Sequence, residues 1–301
     1  MLIDYLKAKL DFQLIRMKAS FRRVTSSMTG KPDELLPFAE VKDILRPYGQ
    51  SYKGTDIVRL DKIIGSEGRY KDFDREFFPL QSHTRRKWES IALGYYRRVE
   101  FPPVKLYKIG NVYFVSDGNH RVSVAKCRGT RYIKAEITEC RTRVSLDGYV
   151  GINQLQLKGE HVRFLEKTKL DELRPNQNIE VSKSGSYDRI LIHIEVHRYF
   201  LGERERRDIT SDEAVCRWCD CLYCPLKNIV ENKKILKYFP HKMPGDLYLW
   251  IMDHWHYMKE LNKDVTMEEA AMDLRNKYGT GSYLQRFFFL KHKFLSKIVE
   301  K

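Results

Sequence analysis

The densest chemistry in this chain lies at Asp117-Gly118-Asn119-His120-Arg121. A β-prone run, Val112-Tyr113-Phe114-Val115, stops there, and an apolar helical pattern through Val122, Val124 and Ala125 follows and ends at Arg128-Gly129. A second β-prone run covers Tyr132 to Ile137. Strand, tight turn, helix and strand is a phosphate-binding geometry. A turn glycine lets backbone approach a ligand, and a helix N-terminus offers N–H groups without intrahelical partners together with a partial positive charge. Gly118, Asn119, His120 and Arg121 would put donors where a polyphosphate sits. Asp117 reads either as a metal or base carboxylate or as a plain turn and cap residue.

Two further groups carry metal-ligand residue types. His193 and His197 are four apart and share a helix face, while Asp253 and His254 stand in a polar-aromatic stretch with Asp246, Trp250 and Tyr257. If the two helices face one another, these four residues could build a metal or acid–base site. The other reading is buried, hydrogen-bonded histidines, because Ile190, Ile194 and Leu201 border them. Cys216, Cys219, Cys221 and Cys224 look like a cluster site, but Thr210 and Glu213 predict a capping box, and Val215, Trp218, Leu222 and Leu226 continue a helical stripe. On a regular helix Cys221 and Cys224 point about 80–140° away from Cys216, so one tetrahedral ion cannot collect all four. Packing cysteines in a reducing compartment are expected, with no structural zinc.

The elements that must position these residues follow from periodicity. Ile3, Leu6, Leu10, Leu14, Met17, Phe21, Val24 and Met28 recur every three or four residues, which predicts a basic amphipathic helix over 1–28. Such a helix docks on its own protein or a dimer partner, or lies as an arm on DNA or membrane. Thr29 to Tyr52 is linker-like, punctuated by Gly30, Pro32, Pro37, Pro47 and Gly49. Residues 146–280 read as mainly helical, in segments Val162–Leu165, Tyr187–Leu201, Ser211–Asn232, Pro244–Leu261 and Met267–Tyr278. Gly202-Glu203-Arg204-Glu205-Arg206-Arg207 reads as a charged loop. The tail from Tyr283 to Lys301 repeats the basic amphipathic pattern through Leu284, Phe287, Phe294, Leu295 and Ile298.

Lysine and arginine number 55 against 40 aspartate and glutamate in 301 residues, a formal charge of +15 that favours polyanions such as nucleic acid, nucleotides or an anionic membrane surface. At 42% hydrophobic and 12% aromatic, the chain carries ample material for packed cores, which excludes a disordered protein. No apolar run approaches the roughly 20 residues a bilayer span needs. Asp4, Lys7, Lys9 and Asp11 interrupt any signal-like core, and a cytoplasmic location is expected.

The order and spacing around Asp117–Arg121 resemble the ParB/sulfiredoxin superfamily, whose members share a strand, a Gly-x-[His/Arg]-Arg turn opening a helix, a Gly and a final strand. Upstream, Ile57 to Ile64 is similar to that domain's first strand, Arg85 to Arg98 to its first helix, and Phe101 to Tyr107 to the next strand. The resemblance covers about residues 55–140. With Gly68-Arg69-Tyr70 and Asp72-Phe73-Asp74-Arg75 added, it extends to bacterial proteins described as ParB-like regulators, and it brings Arg69 into the phosphate-binding set. Asn119 stands where sulfiredoxins carry their catalytic cysteine, so their chemistry is not expected. ParB clamps have Gly-Glu-Arg-Arg, and Asn119 and His120 replace its Glu and first Arg. Free serine kinases share the Asp-Gly and His-Arg pairs, and Glu89 would then be the base.

The resemblance implies an α+β fold. A small ParB/sulfiredoxin-like nucleotide-binding domain (51–145) would precede a mainly helical domain (146–280), with basic amphipathic segments at 1–50, linker included, and 281–301. It implies a nucleotide- or DNA-binding transcriptional regulator that binds CTP, ATP or ADP with or without Mg2+, DNA as a further partner, and a homodimer. The alternative is a phosphotransferase or phosphohydrolase on the same pocket, with Glu89 and Asp117 as its carboxylates.

Overall fold

The computed structural model describes residues 2–29, 33–148, 151–261 and 264–279. The architecture is α+β, and the chain divides into two units, residues 1–162 and 163–301. The expected basic tail of 281–301 lies outside the described residues.

The first unit is built on a six-stranded mixed sheet of order β1-β3-β5-β4-β6-β2. Its strands are β1 (Leu36–Pro37), β2 (Gly49–Arg59), β3 (Ile63–Ser66), β4 (Val104–Ile109), β5 (Val112–Asp117) and β6 (Tyr132–Arg141). β4 and β5 form a two-residue hairpin in which Ile109 pairs with Val112 and Gly110 takes a left-handed φ of 57°. β6 runs parallel to β4 and antiparallel to β2. The helices of this unit are α1 (Leu2–Thr29), α2 (Phe38–Leu45), α3 (Arg85–Tyr96) and α4 (Asn119–Cys127), and the division between units falls within α5 (Ile152–Thr168).

Strand alternation sorts the side chains to the two faces of the sheet. Val58, Leu106, Val115, Ala135 and Ile137 join a core with Ala8 and Phe12 of α1, Trp88 and Ala92 of α3, and Val122 and Ala125 of α4. On the other face, Phe38 of α2 stacks on Tyr107 at 4.4 Å and tilts against Phe114 at 5.4 Å. A buried polar chain ties the elements within the core. Trp88 Nε1 donates to Ser123 Oγ at 2.9 Å, and that hydroxyl donates to the Phe77 carbonyl at 2.5 Å.

Two expectations are corrected here. The stretch 29–52, read as a linker, carries β1, α2 and the start of β2, and buries Leu35, Leu36, Phe38, Val41 and Leu45. The first helix forms as expected but docks through the opposite face. Ala8, Phe12, Ile15 and Ala19 are buried, whereas the more conspicuous stripe of Ile3, Leu10, Leu14, Met17, Phe21, Val24 and Met28 is exposed.

The second unit is helical, with α6 (Leu170–Leu173), α7 (Ser186–Glu205), α8 (Ser211–Trp218), a π turn (Cys219–Tyr223), α9 (Cys224–Asn232), α10 (Pro244–Glu260) and α11 (Met267–Tyr278). Thr210 Oγ1 caps α8 by accepting from the Glu213 N–H at 3.2 Å, and Thr266 and Glu269 form a reciprocal capping box on α11. Trp218, Tyr223 and Tyr248 form a buried aromatic cluster, with Trp218 Nε1 donating to the Tyr248 hydroxyl at 2.7 Å. The segment read as a charged loop continues α7 to Glu205, and Arg206 ends the helix at a φ of 51°. Arg207 then bridges Glu205 and Glu213 at 2.7 and 2.5 Å.

The cysteine run is not a regular helix. Pro225 has no N–H to give the carbonyl four residues earlier, so the helix widens into the π turn just before it. The wider turn brings residues five apart together, and Cys219 and Cys224 stand Sγ to Sγ at 3.3 Å. Among the described residues no helix is long and apolar enough to cross a membrane.

Candidate functional site

The turn after β5 is dictated locally. Gly118 is the N-cap of α4 with a φ of 101°, a conformation that L side chains rarely adopt. A Cβ there would also meet Val104 Cγ1 at 2.7 Å and the Arg121 guanidinium at 3.0 Å. The first helical bond runs from the Val122 N–H to the Gly118 carbonyl at 3.0 Å, so the N–H groups of Asn119, His120 and Arg121 have no acceptor within the helix. With the positive end of the helix dipole, they make an anion site.

The side chains of the turn divide into two roles. Arg121 turns back onto the fold. Its Nη1 donates to the carbonyls of Pro102 and of Pro103, the latter at 3.1 Å, and its Nη2 pairs with Asp117 at 2.7 Å. It therefore braces the entry to β4 as much as it offers charge. Asn119 and His120 are buried, at 7% and 4% exposure, and neither Asn119 Oδ1 nor His120 Nδ1 has a hydrogen-bond partner among the described residues. His120 packs edge-on against Phe73 at 5.3 Å. Burial, with Arg69 and Lys87 nearby, lowers its pKa to about 4, so it is neutral at pH 7.

Around His120 the fold gathers groups from separate segments. Arg69 and Lys87 act on its imidazole as cations and Asp72 as the opposing anion, with His83 beside them. Asp72 is itself shared between Arg69 at 3.0 Å and His83 Nε2 at 3.2 Å. The 72–80 loop that carries Asp72 is organised by Asp74, whose Oδ1 accepts the N–H groups of Glu76 at 2.9 Å and Phe78 at 2.7 Å. Burial raises the Asp74 pKa to about 6.

Of the residues expected at the site, Gly118, Asn119, His120, Arg121 and Arg69 come together. Lys87, His83 and Asp72 join them and were not foreseen. Lys87 sits in the basic run Arg85-Arg86-Lys87 at the start of α3, which was the available signal. Glu89 on α3 pairs with Arg85 at 2.6 Å, Asp117 pairs with Arg121, and the two carboxylates share no contact. A surface cleft of about 460 Å3 lies at the opposite end of α4, between Arg59, Asp61, Glu76, Lys126 and Arg131, and does not include the Gly118 turn.

The four residues considered for a metal site are held apart by separate partners. His193 Nδ1 lies 3.3 Å from the Tyr248 hydroxyl, Asp253 pairs with Arg189 at 2.8 Å, and His254 Nε2 pairs with Asp273 at 2.7 Å. His197 Nε2 is buried without a hydrogen-bond partner among the described residues. Burial lowers the His193 pKa to about 4. Among the described residues no three or more His, Cys, Asp or Glu side chains are grouped to hold a metal ion.

Comparison with known proteins yields little beyond this geometry. No family model matches the chain. No curated protein matches it. Among solved structures, a Pnob8-like ParB-N domain aligns over 77% of this chain and 99% of its own, at 14% identity and a TM-score of 0.22, a value too low to carry an argument.

Proposed function

We propose that the Gly118–Arg121 turn binds the phosphates of a nucleotide, and that the chain is a ParB-like, nucleotide-responsive regulatory protein that also engages DNA. The observation that carries this reading is the Gly118 N-cap, which leaves the first N–H groups of α4 without an intrahelical acceptor beside the buried His120, with the Arg69–Asp72–His83 cluster as the nearby polar groups. The net charge of +15 supports a polyanionic partner.

The phosphotransferase reading is second. It needs a carboxylate base, and both candidates are engaged, Glu89 by Arg85 and Asp117 by Arg121. This favours binding over turnover. A thermal-shift screen with CTP, ATP, ADP and GTP, with and without Mg2+, followed by product analysis, separates the two. A stabilising nucleotide that is recovered intact is the expected result. Turnover that is lost in Glu89→Gln would favour the enzyme, and no shift with any nucleotide would count against the site.

A further inference from the structure

We infer that α1 is the interface for a second copy of this chain, paired antiparallel through its exposed apolar stripe. The helix carries two apolar faces, and its own domain uses only one. Ala8 is 0% and Phe12 2% exposed against the core, whereas Ile3 is 77%, Phe21 72% and Met28 83% exposed. Monomeric proteins rarely leave so long a contiguous apolar strip in water.

The spacing of the exposed stripe specifies its partner. Leu10, Leu14, Met17, Phe21, Val24 and Met28 alternate steps of four and three, which is the heptad seam of a coiled coil. If Leu14, Phe21 and Met28 are a positions and Leu10, Met17 and Val24 are d positions, Ile3 is a further d and Lys7 a further a. The buried Ala8, Phe12, Ile15 and Ala19 then fall at b and f, on the opposite side of the cylinder. A partner helix can therefore lie on the seam without displacing the domain.

Orientation follows from charge. A parallel pair would set Lys7, whose ammonium lies 5.0 Å over the Tyr96 ring of its own chain, level with Lys7 of the second copy at the edge of the seam, a like-charge approach. An antiparallel pair instead sets Lys7 beside Val24, Ile3 beside Met28, Leu10 beside Phe21 and Leu14 beside Met17, so no two charges meet in the seam. The same alignment places Asp11 opposite Lys18 at the e positions, twice by symmetry. Asp11 also accepts the hydroxyl of Tyr96 within its own chain and is half-buried, which fixes it toward that edge. At the g positions Gln13, Ser20 and Ser27 are uncharged, and Ser20, Arg23, Val24, Ser27 and Met28 border a shallow depression level with Ile3 of the second copy.

Sedimentation velocity and light scattering on the full chain at micromolar concentration test this. The expected mass is near twice 35.8 kDa, falling to the monomer in Leu14→Glu/Phe21→Glu with an unchanged far-UV circular dichroism spectrum. Leu6→Cys/Ser27→Cys should crosslink into dimers under mild oxidation above the wild-type background, while Ser27→Cys alone should not, because antiparallel pairing holds its two copies about 35 Å apart along the axis. This pair of variants reads the interface without disrupting the seam. A monomeric wild-type chain overturns the proposal, including one that binds anionic vesicles through the same stripe. So does a dimer that survives the glutamates, or a crosslink in Ser27→Cys alone.

Discussion

Gly118 sets the conformation from which the candidate site is built, so it is the first residue to test. Gly118→Ala combines an unfavourable φ with a Cβ driven against Val104. It should cost roughly 2 kcal/mol of stability, read by urea unfolding. Two buried titrating groups beside the site oppose one another. The pKa of His120 is lowered from 6.5 to about 4, so its contribution is complete above pH 6.5 and is lost as pH falls toward 4. The pKa of Asp74 is raised from 3.8 to about 6, so the folded chain holds that proton more tightly, and its contribution is lost as pH rises from 3.8 to 6. Each shift corresponds to about 3 kcal/mol at most. His120→Gln should therefore flatten the loss of stability on acidification below pH 6.5. Asp74→Asn, which keeps an acceptor for the Glu76 and Phe78 N–H groups, should gain stability relative to wild type as pH rises from 4 to 6 and hold that gain above it. Unfolding midpoints measured from pH 4 to 7 check both. Identical profiles for wild type and variants would remove the electrostatic account.

At the scale of elements, Ser123 links α3, α4 and the 72–80 loop that brings Asp72 to the site. Ser123→Ala leaves the Trp88 N–H and the Phe77 carbonyl buried without that partner, and should cost about 2 kcal/mol in chemical denaturation. A loss below half of that would mean the tie is dispensable. Legibility in the sequence follows the range of the interactions. The run β5–turn–α4–β6 was readable because its apolar periods and its Gly118 punctuation act over a few residues. The docked face of α1 was not, because Ala8 and Ala19 are small and share the three–four spacing of the larger exposed stripe. The π turn was hidden by assuming 100° per residue, although Pro225 was its visible cause. The convergence of Asp72, His83 and Lys87 on His120 joins a loop, a 3-10 turn (Ser82–Thr84) and two helices, and no local pattern encodes it.

At the scale of the whole molecule, the +15 charge predicts that duplex DNA binds with an affinity that falls as salt rises, with a log–log slope of about −0.9 for each phosphate neutralised. Fluorescence anisotropy across a salt series reads that slope, and a slope near zero would contradict a polyanion partner. The central claim remains the nucleotide site, and Lys87 tests it most directly. Lys87 is exposed and carries no ion pair among the described residues, so its loss should leave the fold intact. Isothermal titration of the nucleotide that stabilises the wild-type chain should show Lys87→Ala weakening binding by about 5- to 30-fold, the loss of 1–2 kcal/mol expected for one charge-assisted phosphate contact, with no change in thermal midpoint. Equal affinity in Lys87→Ala and wild type would contradict the account.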